Sequence, residues 1–287
     1  MSHKIVYFHI GPSDYLPTSI KQLKHFNPQK EIYLIGNNIQ QEVKDLVKFY
    51  EYEDLLCEQS MNFLHKFRNY STNNADFEKI CILRWFTIRN LCKKENFTNF
   101  FHLDSDVMIY CDLKKELAKF DSHRYSLSCS VSAAVFCVND ITVLDDYCNF
   151  VDGFYDELNQ DNNYTIRGES KKMFKHIRDD ILAVFFNRNL NNLPGGVSDM
   201  TFWSQLRRID DPTMVGEISG IHGDSTFDHN INAADFFEFE NGMKKIVWKD
   251  ALPYSKNVFL NTLVRFNSLH FQGQRAKPLM EKFKSYQ

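Results

Sequence analysis

The chain of 287 residues predicts an α/β fold, a Rossmann-like mixed and mostly parallel sheet flanked by helices, with a less regular second half. Three observations carry this. Over residues 1–140, apolar strand-like runs alternate with segments of helical period, the order that builds a parallel sheet under covering helices. Turn-forming clusters such as Gly11-Pro12-Ser13-Asp14 and Gly36-Asn37-Asn38 separate the segments. A nearly unbroken apolar run at residues 100–110, FFHLDSDVMIY, reads as a buried strand.

In order, residues 4–10 (KIVYFHI) read as a strand, 18–26 as a helix and 31–35 (EIYLI) as a second strand. A polar helix is expected at 39–50 and a long helix at 76–94, ahead of the run at 100–110. Strands at 125–130 and 133–138 precede a helix from 141 to 155. Residues 159–170, 187–198 and 220–234 are rich in Asn, Gly and Asp and read as loops, the last two around short helical or strand elements. Long loops after an α/β core carry recognition more than packing. A strand is expected at 264–271. No repeat, low-complexity tract or linker divides the chain, so one domain is expected, with residues 1–140 and 141–287 as its halves.

Hydrophobic residues make up 43% of the chain and aromatic residues 15%, enough to bury a full core. The net charge of −3, with Lys and Arg scattered among acids, offers no basic field and excludes a nucleic-acid backbone as partner. Seven cysteines, without CxxC spacing and mostly in apolar stretches (Cys81, Cys92, Cys129, Cys137), fit reduced thiols and a cytoplasmic setting. The N-terminus enters a strand without a signal pattern, and no apolar run approaches the ~20 residues of a membrane span. Any membrane association is expected to be peripheral.

The chemistry centres on Asp104 and Asp106. Along one strand the period of two points both carboxylates to the same side, with Cα atoms about 7 Å apart. Two ionised carboxylates there repel unless a divalent cation converts the repulsion into coordination. Oxygen ligands suit Mn²⁺ or Mg²⁺, ions that usually bring a phosphate-bearing ligand. The alternative is a solvated turn after a core strand. In the long helix, Phe77, Cys81, Ile88, Leu91 and Cys92 fall on one stripe that also contains Arg84. A guanidinium there needs a carboxylate or a phosphate, so Arg84 forms either an internal ion pair or an anion contact. Near the C-terminus, LHFQGQRAKPLM (residues 269–280) offers His270 as a metal ligand, Gly273 for close approach of backbone amides to an oxyanion, and Lys277 as a point charge for phosphate. In GGVSDMTFW (residues 195–203), Ser198 or Asp199 N-caps a helix and the glycines free the loop.

Together the Arg-bearing helix (ILRWF, residues 82–86), the hydrophobic-DSD-hydrophobic run and the late HFQG…KP segment resemble the GT-A class of nucleotide-sugar glycosyltransferases, over most of the chain. Within it they are similar to the retaining glycogenin and lipopolysaccharide galactosyltransferase group. The resemblance implies a GT-A fold and a metal-dependent hexosyl- or related sugar transferase. Residues 1–140 would bind the donor and 141–287 the acceptor. Asp106 would bind Mn²⁺ or Mg²⁺ bridging the donor diphosphate, while Asp104 shares the metal or contacts the ribose and Ser105 adjoins the donor. The group's HxxGxxKP motif maps to His270 as metal ligand, Gly273, Lys277 on phosphate, and Pro278, although here one more residue separates Gly273 from Lys277. Arg84 would lie near the diphosphate or sugar. The strand ends at His9, Ile10 and Gly11, and at Gly36-Asn37, would hold base and ribose, as open α/β sheets bind ligands beyond the carboxyl ends of strands. Uridine, the commonest base of the class, makes a UDP-sugar the expected donor and a glycan or other hydroxyl the acceptor. Asp199 would orient an acceptor hydroxyl or act as base, with Trp203, Asp228 and His229 beside the acceptor.

Other readings compete. A nucleotidyltransferase also uses a metal-binding carboxylate, but the segment GPSDYLPTS after the first strand lacks the basic phosphate loop. An aspartyl phosphatase wants Thr or Val two places after the second Asp, where Met108 stands. A catalytically inactive, sugar-binding or scaffold relative would need degraded acceptor loops.

Overall fold

The computed structural model describes residues 3–156, 163–166, 169–172 and 175–286. In chain order the elements are β1 (Lys4–Ile10), α1 (Leu16–Phe26), β2 (Ile32–Asn37), α2 (Gln41–Lys44), β3 (Lys48–Glu51), α3 (Glu58–Lys66), α4 (Ala75–Lys94), β4 (Phe100–Asp104), β5 (Val107–Ile109) and α5 (Leu113–Leu117). They continue with β6 (Tyr125–Ser128), β7 (Ser132–Val138), α6 (Thr142–Tyr155), β8 (Asn163–Ile166), β9 (Glu169–Lys172), α7 (Lys175–Leu190) and α8 (Asp199–Ile209). The last strands are β10 (Val215–Glu217), β11 (Ser225–Phe227), β12 (Phe239–Glu240), β13 (Met243–Lys244), β14 (Val247–Lys249), β15 (Leu252–Asn257) and β16 (Thr262–His270). The chain divides into two compact units that cut across the sequence halves. One contains Met1–Tyr50, Asn99–Asn139 and Thr213–Gln287, and the other Glu51–Thr98 and Asp140–Pro212.

The first unit holds a mixed sheet in the order β10-β6-β7-β4-β1-β2-β3. β1 runs parallel to β2 and to β4, and β10 parallel to β6, while β7 is antiparallel to both neighbours. The central strands are buried along their length because KIVYFHI and FFHLD carry β-branched and aromatic residues on both faces. The helix expected at 39–50 is instead the single turn α2 followed by edge strand β3. The aromatic pair Phe49-Tyr50 suits a pleated edge, and Tyr50 stacks on Tyr33 of β2 at 6.4 Å between ring centroids.

A second sheet in the same unit runs β11-β16-β15-β14, with β5 also on β16. Residues 100–110 are therefore not one strand. The chain leaves the first sheet after Asp104, turns through Ser105-Asp106 and enters the second sheet as β5. Alternation then serves two cores: Val107 and Ile109 join the cluster containing Tyr7, Leu34 and Leu103, and Met108 and Tyr110 join that of Phe266, Leu269 and Phe271. Side chains of α1 satisfy the backbone here, since Ser19 Oγ donates to the Val107 carbonyl (2.8 Å) and Gln22 Nε2 to that of Ile109 (3.2 Å).

The second unit is mainly helical, with α3, α4, α6 and α8 packed together. Asn74 caps α4, accepting from the N–H groups of Asp76 (2.9 Å) and Phe77 (3.1 Å), and acids at its start and lysines at its end suit the helix dipole. Its buried face is wider than the predicted stripe: Ile88, Leu91 and Cys92 are buried as expected and Phe77 is 58% exposed, while Ile82, Leu83, Trp85, Phe86 and Arg89 are buried as well. Trp85 and Phe86 widen the stripe because they fill an aromatic core with Trp203, Tyr147 and Phe63. The helix α3 was not foreseen, and α7 extends into the loop expected at 187–198. The loop expected at 159–170 lies partly outside the described residues, and its described portions form the β8–β9 hairpin. Among the described residues no helix is long and apolar enough to cross a membrane.

Candidate metal centre

The motif sits where the chain switches sheets, and the register of the second sheet completes it. In the antiparallel pairing of β5 with β16, Val107 lies opposite His270, so Asp106, one residue earlier, arrives beside that histidine. The N–H of Phe271 closes the corner by donating to the Asp106 carbonyl at 2.9 Å. One ligand atom each from Asp104, Asp106 and His270 lies within 4.8 Å of the others. The two carboxylates therefore converge through a turn, not through the period of a single strand.

Asp106 is buried between two cationic groups: His270 Nε2 is 3.3 Å from Oδ1 and Lys277 Nζ 3.3 Å from Oδ2. Gly273 makes the second contact feasible. Its φ of +87° starts a turn in which Ala276 and Lys277 donate to its carbonyl (3.3 and 3.4 Å), folding the chain back over the site. The Lys277 ammonium also lies over the Tyr15 ring, 5.1 Å from its centroid. Burial acts to lower the Lys277 pKa, but the charge of Asp106 and the contact with Tyr15 outweigh it and raise it. Burial likewise acts against a charged His270, yet its hydrogen bond to Asp106, the charges of Asp106 and Asp104 and the His229 carbonyl prevail and raise its pKa to about 9. Nδ1 faces the His229 carbonyl at 2.5 Å and can only donate there, so a cation would take the Nε2 position and release that proton. Two carboxylates and one imidazole, held close and attracting positive charge, fit a borderline divalent ion such as Mn²⁺.

At the carboxyl end of β1, His9 Nδ1 meets Ser105 Oγ at 2.8 Å and its ring meets Tyr15 edge-on, 5.7 Å between centroids. Ile10 pairs in register with Asn37, and Gly11 N–H donates to the Asn37 carbonyl at 3.1 Å. The first unit thus gathers Asp104, Ser105, Asp106, His270 and Lys277 around one corner, with His9 beside Ser105. His102 and Tyr15 did not stand out in the sequence. His102 is buried, with Nδ1 3.0 Å from the Val6 carbonyl and Nε2 3.3 Å from Asp104 Oδ1. The period of two that was applied to Asp104 and Asp106 would have found it, since 102 and 104 do share a strand. Asp228 is buried with both carboxylate oxygens accepting, from Lys244 Nζ (2.8 Å) and from the His270 N–H (3.1 Å), so it ties these two residues together and presents almost no surface to an acceptor.

In the second unit Arg84 and Asp199 meet. Arg84 Nη2 donates to Asp199 Oδ2 at 2.5 Å and Trp85 Nε1 donates to the same oxygen at 3.2 Å, which makes the Arg84 contact an internal ion pair. Ser198, not Asp199, is the N-cap of α8, and its N–H donates to Thr201 Oγ1 at 3.1 Å. Of the preceding glycines, Gly195, at φ +103°, supplies a backbone conformation that other residues rarely adopt, and Gly196 serves close approach. Gly196, at φ +151°, bridges Ser71, and a Cβ there would meet the Tyr70 carbonyl oxygen at 2.3 Å. This contact fastens the Asp199 loop to the segment leading into α4. Trp203 is 0% exposed, stacked on Tyr147 at 4.5 Å, so it is a core residue with no surface for an acceptor.

No family model and no curated protein matches the chain. Among solved structures it is similar to mouse xyloside xylosyltransferase 1, at 6% identity and a TM-score of 0.43, over 78% of this chain and 88% of that one. It is similar to the galactosyltransferase LgtC in complex with donor and acceptor sugar analogues, at 11% identity and a TM-score of 0.34, over 78% and 75% of the respective chains. The glycosyltransferase GlyE of Streptococcus pneumoniae TIGR4 matches at 15% identity and a TM-score of 0.33 over 75% of this chain, which spans 45% of that protein. At these values no residue role carries over.

Proposed function

We propose that the chain is a glycosyltransferase of GT-A type that moves a sugar from a nucleoside diphosphate sugar, a UDP-sugar in first preference, to a hydroxyl of a glycan or other acceptor. The observation that carries this reading is the convergence of Asp104, Asp106 and His270 with Lys277 against Asp106. Such a corner suits a divalent cation and a diphosphate, and it lies at the carboxyl ends of β4 and β1, where open α/β sheets receive ligands. When bound, Mn²⁺ or Mg²⁺ supplies Lewis-acid neutralisation of the diphosphate leaving group. Asp104, Asp106 and His270 would hold the ion. Lys277, whose ammonium is a compact point charge, would turn from Asp106 toward a phosphate oxygen. His9, Ser105 and the strand ends at Ile10, Gly11 and Asn37 would hold the nucleoside. On the acceptor side, Asp199 is the proposed hydroxyl-orienting residue. Its Oδ2 already accepts from Arg84 and Trp85, and Oδ1 from the Met200 N–H (2.9 Å), which favours orientation over proton abstraction.

The test is thermal stability with a panel of nucleoside diphosphate sugars, each with and without Mn²⁺. A ligand at 100 times its dissociation constant adds about 2.7 kcal/mol. One nucleotide that stabilises only with metal is expected, and Asp106→Ala should abolish that shift in a protein of unchanged circular dichroism. No shift with any donor, or a full shift in the folded variant, overturns the reading in favour of an inactive scaffold or another phosphate chemistry.

A further inference from the structure

Behind His270 lies a buried charge cluster. The side chains of Lys244 in β13 and Asp228 are each 1% exposed. Burying an ammonium is tolerated only when its donors are satisfied. Lys244 commits all three, to Asp228 Oδ1 (2.8 Å), Asp235 Oδ2 (2.7 Å) and the Asn230 carbonyl (2.7 Å), and its own N–H donates to the Ile231 carbonyl (2.8 Å). One lysine therefore fastens residues 228–235 at four points.

That segment is also what grips His270. Asp228 Oδ2 accepts from the His270 N–H (3.1 Å), the His229 carbonyl faces His270 Nδ1 (2.5 Å), and the Ile231 N–H donates to the His270 carbonyl (2.9 Å). Asp235 and Phe236, which end the segment, have φ of +44° and +67°, a left-handed backbone that costs a non-glycine residue about 1–2 kcal/mol. A segment with such an end needs an external tie to keep its shape.

We propose that Lys244, acting through Asp228 and the carbonyl of His229, is a positioning residue that fixes the ring of His270 for cation binding. The inference rests on the metal-centre reading. With the His229 carbonyl held in place, Nδ1 keeps its proton and Nε2 points toward Asp106, the orientation a cation needs. Without Lys244 the segment is freed, the ring loses its fixed partner, and part of the binding free energy goes into reordering it. Outer partners of a metal-ligating histidine typically contribute 10–100-fold to affinity.

The experiment titrates Mn²⁺ alone into the full chain and reads free Mn²⁺ by electron paramagnetic resonance, with no sugar donor present. Lys244→Met and Asp228→Asn should each weaken binding 10–100-fold, and His270→Ala at least as much. The double variant Lys244→Met/His270→Ala should bind no more weakly than His270→Ala alone, because both changes remove the same contribution. A merely structural role for Lys244 would add to the loss. If variants with native near-ultraviolet circular dichroism bind as the wild type does, or if the two losses add, the positioning role is overturned while the metal centre stands. Wild-type protein that binds no Mn²⁺, or is indifferent to His270→Ala, overturns the metal-centre reading and the positioning role with it. Should Lys244→Met fail to fold, since it strands the buried carboxylate of Asp228, the isosteric Asp228→Asn takes its place in the cycle with His270→Ala, and the same outcomes decide.

Discussion

Acidification from pH 7.5 to 5 should cost the metal-free fold about 2 kcal/mol through His9 alone. The ring is buried, with Nδ1 on Ser105 Oγ, and Nε2 has no hydrogen-bond partner among the described residues. A proton on Nε2 would create a buried charge whose donor is unsatisfied. Burial first, and then the Lys277 ammonium, hold the His9 pKa down at about 4 against the opposing pull of Asp106, compared with 6.5 for an ordinary imidazole. The sign follows from proton counting. Above pH 6.5 neither state binds the proton and His9 is neutral in the balance; between 6.5 and 4 the unfolded chain binds it and the native chain does not, so stability falls as pH falls. Each pH unit in that window is worth 1.36 kcal/mol, which gives about 2 kcal/mol at pH 5. Urea unfolding of the wild type and of His9→Gln at pH 7.5, 6 and 5, with EDTA present, isolates the effect, because the other titrating groups are common to both. With a slope of about 3 kcal/mol/M the gap between the midpoints should change by about 0.7 M, in favour of the variant at low pH. A gap that stays constant from pH 7.5 to 5 refutes the reasoning.

Two further outcomes concern the second unit. Asp199→Asn should destabilise the fold by about 3 kcal/mol in urea, since it leaves a guanidinium only 13% exposed facing an amide in place of a carboxylate that is 7% exposed; Arg84→Met added to it should cost far less than it does in the wild type, and additive losses would show that the two side chains do not depend on each other. Cys57 should react with iodoacetamide with a half-point near pH 7, because the backbone and hydroxyl of Ser60, the side chain of Asn90 and the charge of Arg89 outweigh the opposing effect of burial and lower its pKa to about 7. Mass spectrometry against pH checks it, and a half-point above 8 contradicts the geometry; Cys92 and Cys137, whose thiols burial pushes up, should stay unlabelled in the folded chain.

What the sequence made legible is what short-range rules decide. KIVYFHI and FFHLD are apolar on both faces and read as buried strands, and the long helix expected at 76–94 is α4 (Ala75–Lys94). Periodicity failed where a distant partner decides. Residues 48–51 lie in a stretch that reads as polar helix, and pairing beside β2 makes them an edge strand. Phe77 fits the arithmetic of an apolar stripe yet is exposed at the start of the helix, while the aromatic core of the second unit widens the buried face, which keeps Ile88, Leu91 and Cys92, toward Trp85.

The candidate site follows the same division. That Asp104 and Asp106 converge was foreseen, but from the geometry of a continuous strand, whereas the convergence arises because β5 breaks away to pair with β16. That register is set by Leu269 and Met108 packing into a core distinct from that of Leu103, and nothing local to FFHLDSDVMIY reports it. The same register brings His270 and, through the turn at Gly273, Lys277 to Asp106, so the one extra residue in the C-terminal motif is absorbed by a turn of that glycine without losing the contact. Lys244 was invisible for the opposite reason: in EFENGMKKIVW it looks like one more solvated lysine. Only the path of residues 228–235 over the end of β16 buries it. Residues that bear the chemistry can thus be recognised by type and spacing, while those that hold them in place depend on which strands meet.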